Sequence, residues 1–322
     1  MGHWVYSGDV RLPVWGDNIP HNTGRSKLED MDIDPAVGVE QAMGEFCGLL
    51  LGEHPECTRE RSDNLAWLCE IQCKAASDRY DDIPYLVPFA APGAESAVIV
   101  VPGGGYIYEE FNKEGTQVAR YFAERGVTAF VLKYRCYPYG LEAPLADMRR
   151  AVRYVRRHAS EYGIDPQRIG AVGFSAGGFQ VAAQICLDRG SIPDWPGYVP
   201  DETDHEDDRL AFAGLVYPVI NHAYNPAMLR ALYYRRGADE AEIARIAENK
   251  LPTSNILPGD PPQYVTWGSE DTLIDPRGVY EYADALEAAG VSVRRRIAPG
   301  AGHGFGLDCG WADEFLEWIK SI

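Results

Sequence analysis

Residues 168–178 read RIGAVGFSAGG. The run is apolar from Ile169 to Phe174 and then breaks into small residues. A short continuous apolar stretch reads as a strand buried on both faces, and the Ala/Gly-rich stretch from Ala176 to Leu187 reads as a helix. Between them the chain has to turn sharply. Gly173, Ser175 and Gly177 fit the pattern G-x-S-x-G, in which glycines two residues either side of the serine remove side chains that would collide with the adjoining strand and helix. The turn holds the serine backbone under strain and leaves its hydroxyl exposed at the helix N-terminus, where the positive end of the dipole favours a developing oxyanion. An ordinary capping serine in a tight strand-to-helix turn is the plainer alternative.

Outward from this turn, apolar runs alternate with amphipathic ones. Strands are expected at Ser96–Val101, Val127–Tyr134, Ala211–Ile220, Gln263–Gly268 and Ser292–Ile297, and helices at Thr116–Glu124, Pro144–His158, Arg277–Ala289 and Trp311–Ile319. Strands separated by helices imply βαβ units, hence an α/β fold with a mostly parallel central sheet and helices on both faces. Tyr85–Phe89 is expected to add a strand, antiparallel or at the sheet edge. In Pro144–His158, Leu145, Met148, Val152 and Val155 share one face; Arg149, Arg153, Arg156 and Arg157 lie off it and read as a solvated face.

Two stretches interrupt the alternation. Residues 188–209, with three prolines and the acidic run DETDHEDD, form an excursion. Residues 221–262, helical around Ala227–Tyr234 and Asp239–Asn249, are long enough between strands to read as a small cap beside the site. The chain thus divides into residues 1–80, an arm with helices near Val37–Leu51 and Asp63–Ala76, and a catalytic domain at 81–322 carrying both insertions.

Three further segments stand at strand ends. Pro102-Gly103-Gly104-Gly105-Tyr106 would let main-chain amides approach a substrate unobstructed, with Gly104, Gly105 and the Ala176 amide forming an oxyanion hole. A phosphate loop is the rival, but the Lys-Ser/Thr ending and G-x-G-x-x-G are both missing. Gly268-Ser269-Glu270-Asp271 and Gly302-His303-Gly304-Phe305 follow two late strands. A serine nucleophile needs a base, and the base needs a carboxylate to fix its tautomer. Ser175, Asp271 and His303 occur in the order serine, acid, histidine. Glu270 and Asp275 compete with Asp271 for the acid.

These residues carry a resemblance. From Val98 to the C-terminus the chain resembles the esterase/lipase branch of the α/β-hydrolases, which includes hormone-sensitive-lipase-like esterases and bacterial acetyl esterases. The likeness rests on VPGGGY, FVLKYR, the stretch from LADMRR to FSAGG, LVYPVI, WGSEDTLI and GHGFG. It implies the α/β-hydrolase fold and maps the family's functional positions onto Ser175, Asp271, His303, Gly104, Gly105 and Ala176. Where the lipase-like branch has His before three glycines, this chain has Pro102, a form similar to acetyl and carbohydrate-acetyl esterases. The resemblance therefore implies short acyl groups, with acetylated carbohydrates such as xylo-oligosaccharides as plausible substrates.

Composition bounds the rest. The chain has 322 residues and a formal net charge of −18, which repels phosphate backbones and anionic membranes, so neither nucleic acid nor membrane is expected as a partner. No apolar run reaches the roughly 18 residues of a transmembrane helix. The opening MGHWVYSGDVRLP lacks a basic n-region and an apolar h-region, and Tyr6 stands where a myristoylation signal wants Ser or Thr. With seven cysteines, an odd number, a reduced cytoplasmic protein is expected rather than a disulfide framework. His54, Cys57, Cys69 and Cys73 are four ligand types in zinc-like order, but their spacing does not match paired knuckles, so no metal is expected. Tyr106, Trp195 and Tyr224, among other loop aromatics such as Tyr108, Tyr233 and Tyr234, could line a substrate pocket or pack the cap against the core. The expected activity is serine ester hydrolysis without a cofactor, on a small-molecule ester. A peptidase or acyltransferase of the same fold, or a non-catalytic binding protein, stands as the alternative; homo-oligomers remain open.

Overall fold

The computed structural model describes residues 10–17, 19–20, 83–106, 109–136, 139–225, 229 and 239–322. Eight strands form one sheet: β1 (Leu12–Pro13), β2 (Tyr85–Phe89), β3 (Ala97–Val101), β4 (Thr128–Lys133), β5 (Ile169–Phe174), β6 (Ala213–Val216), β7 (Gln263–Gly268) and β8 (Val293–Ala298). Their order across the sheet is β1-β2-β4-β3-β5-β6-β7-β8. Strands β3 to β8 are parallel, while β2 pairs antiparallel with β4 and β1 antiparallel with β2. Tyr85–Phe89 is therefore antiparallel but not the edge, because Leu12 and Pro13 extend the sheet beyond it.

Burial on both faces explains why the central strands read as unbroken apolar runs. In β3 the alternation of side chains sends Ala97, Ile99 and Val101 to one face and Val98 and Val100 to the other. On the first face they meet α2 (Glu142–Arg157), α3 (Ala176–Cys186) and α5 (Arg277–Ala288) through Leu145, Met148, Val152, Phe179, Val181, Tyr282 and Leu286. On the second they meet α1 (Gln117–Ala123) and α6 (Trp311–Ile319) through Val118, Phe122, Trp311 and Phe315.

Three expectations need correction. The helix expected from Thr116 begins earlier, as a π-helical turn over Phe111–Thr116 that runs into α1. The strand expected over Ala211–Ile220 is cut to β6, because Tyr217 takes φ 37° and Pro218 follows it, turning the chain out of the ladder. The arginines of α2 do not form a solvated face. Arg149, Arg150 and Arg153 are buried, and the acidic excursion covers them. Arg150 meets Asp201 at 2.5 Å and Asp204 at 3.0 Å, and Arg153 meets Asp208 at 3.4 Å. Arg156 is half-buried, and Arg157, paired with Glu202 and Glu206, is exposed.

The second insertion is described in part. Helix α4 (Glu240–Asn249) is capped by Asp239, whose carboxylate accepts from Glu242 N–H. Just past its end, Lys250 donates to Asp188 at 2.8 Å, beyond the C-terminus of α3. That tie lies at the opposite end of α3 from Ser175, a helix-length of about 16 Å away. The expected helix around Ala227–Tyr234 lies largely outside the described residues, as do the expected helices of residues 1–80 and the His54, Cys57, Cys69, Cys73 group. Among the described residues, no helix is long and apolar enough to cross a membrane.

Candidate active site

Parallel strands place their C-terminal ends on one edge of the sheet, the edge where open α/β folds bind ligands. Four loops gather there: Pro102–Tyr106 after β3, Ser175 after β5, Asp271 after β7 and His303 after β8.

Ser175 adopts φ 50° and ψ −117°, a region non-glycine residues avoid. Close packing makes this possible. A Cβ on Gly173 would come within 2.2 Å of the Gly177 carbonyl oxygen, and one on Gly177 within 2.1 Å of the Val101 carbonyl oxygen. Both approaches are impossible for any other residue, so the glycine spacing of the pentapeptide is a packing requirement.

His303 Nε2 lies 2.9 Å from Ser175 Oγ, and His303 Nδ1 lies 2.8 Å from Asp271 Oδ2. Asp271 Oδ1 accepts the amides of Leu273 and Ile274 at 3.0 and 2.9 Å. Burial alone would raise the Asp271 carboxyl, but the imidazole and these two amides outweigh it and hold the group below the usual carboxylate value. An ionised Asp271 can only accept, so it takes the Nδ1 proton and leaves Nε2 as the acceptor facing the serine hydroxyl. Neither competing acid takes this place: Glu270 is exposed, and Asp275 pairs with Arg277 at 2.7 Å.

The glycine loop reaches the same place. Gly104 and Gly105 take φ 131° and 62°, which glycine adopts without penalty. Among the described residues no acceptor engages the amides of Gly104, Gly105 or Ala176. The arrangement therefore offers a hydroxyl, a base with a fixed tautomer and unengaged amide donors: the parts an acyl transfer requires.

The structure does not bring the three aromatic candidates to this centre. Tyr106 is wholly buried behind it, its hydroxyl donating to the Ala176 carbonyl at 3.1 Å and its ring edge-on to Tyr134 and Phe179. Trp195 lines a separate cavity of about 390 Å³ with Leu145, Arg149 and Lys250. Tyr224 donates to Glu281 on α5 at 2.5 Å, with Arg277 over its ring. Tyr108, Tyr233 and Tyr234 lie outside the described residues. Two residues escaped the sequence reading: Glu114, in the π-helical turn, and Tyr217, whose ring is edge-on to His303 at 4.9 Å between centroids. Neither sits in a pattern that marks it, since a helical Glu and a Tyr-Pro pair are both commonplace.

A family model described as α/β hydrolase fold matches residues 98–307. The chain belongs to the α/β-hydrolase fold family. Among curated relatives of this hydrolase, the endo-1,4-beta-xylanase B of Butyrivibrio fibrisolvens is 30% identical over 64% of this chain and 32% of its own length. The acetylxylan esterase of Xylanibacter ruminicola is 28% identical over 70% of this chain and 45% of its own. The chain thus spans less than half the length of either. Among solved structures, the acetyl ester-xyloside bifunctional hydrolase of Caldicellulosiruptor lactoaceticus superposes with a TM-score of 0.66 at 28% identity, covering 76% of this chain and 91% of that one.

Proposed function

We propose that this α/β-hydrolase is a serine carboxylesterase that removes short acyl groups, acetyl foremost, from carbohydrate esters such as acetylated xylo-oligosaccharides. One observation carries the reading: the unbroken relay from Asp271 through His303 to Ser175, with links of 2.8 and 2.9 Å at the ends of three strands. His303 takes the Ser175 proton as Oγ attacks the ester carbonyl, and the amides of Gly104, Gly105 and Ala176 hold the oxyanion. The C–O bond to the alcohol breaks, and the alcohol leaves with the proton from His303. Water, deprotonated by the same imidazole, then attacks the acyl-enzyme, releasing the carboxylic acid and restoring Ser175. Only neutral His303 serves as base. The reaction needs no cofactor.

The short acyl group and the sugar rest on likeness, namely Pro102 before the glycines and relatives named for acetylxylan and acetyl ester-xyloside hydrolysis. The net charge of −18 favours a neutral substrate over nucleic acid or an anionic membrane surface, and the odd cysteine count fits a cytoplasmic setting. A panel of p-nitrophenyl esters of rising chain length, run beside acetylated xylo-oligosaccharides, tests substrate class. A steep fall beyond acetate together with acetate release from the sugar is expected; an optimum at long chains contradicts it.

A further inference from the structure

The π-helical turn Phe111–Thr116 bonds to both loops that flank Ser175. Glu114, buried at 5% exposure, accepts the Gly103 N–H on Oε2 at 2.8 Å and the Tyr217 hydroxyl on Oε1 at 2.8 Å. The Tyr217 oxygen in turn accepts the N–H of Gly306, three residues beyond His303, at 3.1 Å. From the same turn, Lys113 donates to the Gly304 carbonyl at 2.6 Å. π-helical turns are frequent at functional sites.

Burying a carboxylate is costly unless hydrogen bonds satisfy it, and burial here pushes the Glu114 carboxyl above its usual value. Among the described residues no cation pairs with it. What the position demands is two acceptor oxygens back to back, since one faces an amide N–H and the other an O–H. A carboxylate supplies both, whereas an amide side chain supplies one acceptor and one donor. The Gly103 peptide that Glu114 grips is wedged against the nucleophile turn: a Cβ there would stand 2.6 Å from the Phe174 carbonyl oxygen and 2.8 Å from Ser175 Cβ. The next two amides along are the unengaged ones of Gly104 and Gly105.

We propose that Glu114 is a positioning residue for the ester hydrolysis, holding the glycine loop through Gly103 and the histidine loop through Tyr217 and Gly306 in one register around Ser175. The inference rests on the esterase reading. It concerns alignment of the oxyanion donors with the base, so its signature lies in turnover rather than in substrate affinity.

The test compares wild type, Glu114→Gln, Glu114→Ala and Tyr217→Phe in p-nitrophenyl acetate hydrolysis, with active sites counted by fluorophosphonate labelling and a trifluoromethyl ketone as transition-state mimic. For Glu114→Ala, kcat per labelled site is expected to fall about 10²-fold, the scale of losing one oxyanion donor, with KM little changed and the ketone weakened in parallel. Glu114→Gln, which keeps one acceptor, and Tyr217→Phe, which keeps the Gly103 bond, should fall between wild type and Glu114→Ala. A merely structural role would lower the number of labelled sites and leave turnover per site and ketone affinity unchanged; that result overturns the proposal. Should Glu114→Ala not fold, the equal-sized Glu114→Gln decides: wild-type turnover per site overturns the proposal and reduced turnover supports it. A wild type that neither labels nor hydrolyses overturns the esterase reading itself, and the inference with it, so the two failures are distinguishable.

Discussion

His222 is 1% exposed, sits edge-on to Phe179 at 4.4 Å, and among the described residues has no hydrogen-bond partner on either ring nitrogen. Phe179 is one helical turn beyond Ser175, so this histidine lies in the layer directly behind the nucleophile. Burial pushes its pKa down from the ordinary 6.5 to about 4. Because the unfolded chain then binds the proton more readily than the folded one, the fold keeps its full stability above pH 6.5 and loses it as pH falls toward 4. The shift corresponds to roughly 3 kcal/mol at the acid end. Melting temperatures between pH 7 and 4.5 should therefore drop for the wild type and drop distinctly less for His222→Phe. Equal slopes would mean that His222 takes up its proton without resistance. At this scale the sequence was legible where geometry forces a residue type. The glycines around Ser175 are fixed by approaches near 2 Å to carbonyl oxygens, so the pentapeptide spacing carries the turn within it. Glu114 was not legible, because its meaning lies in two partners, Gly103 and Tyr217, of which the second is 103 residues away.

The elements show the same division. Helix α2 was placed to within two residues by its apolar periodicity, which depends only on residues in the helix itself. The fate of its arginines depends on the excursion folding over them some 50 residues later, and periodicity cannot see that. Arg150 is 3% exposed and Asp204 wholly buried. Asp204 also accepts the Tyr198 hydroxyl at 2.6 Å and the Asp201 amide at 3.0 Å. Removing one partner of a buried pair leaves an uncompensated charge and costs about 3–5 kcal/mol. Asp201 still serves Arg150, so Asp204→Asn should cost about 3 kcal/mol, read as a lowered urea midpoint at unchanged slope. A loss below about 1 kcal/mol would show that the excursion is only laid on the helix and does not hold it. The insertion at 221–262 is described only in part, and length between strands announces an insertion but not the end of the sheet it packs on.

For the whole molecule, the mostly parallel sheet with helices on both faces followed from the alternation of strands and helices, whereas the order of the strands across it comes from the structure. The antiparallel addition of Leu12–Pro13 beside β2 was not legible either, since a two-residue strand has no periodicity to read. One consequence of the architecture is that β5, β7 and β8 deliver Ser175, Asp271 and His303 from segments far apart in sequence to one point, and a single covalent probe reports on that point. The most direct measurement is fluorophosphonate labelling of the full chain, with the modified residue located by peptide mass spectrometry and p-nitrophenyl acetate turnover followed in parallel. Labelling confined to Ser175 is predicted, with both label and turnover abolished in a Ser175→Ala variant that melts like wild type. A label on another residue, or full turnover in Ser175→Ala, would contradict the account.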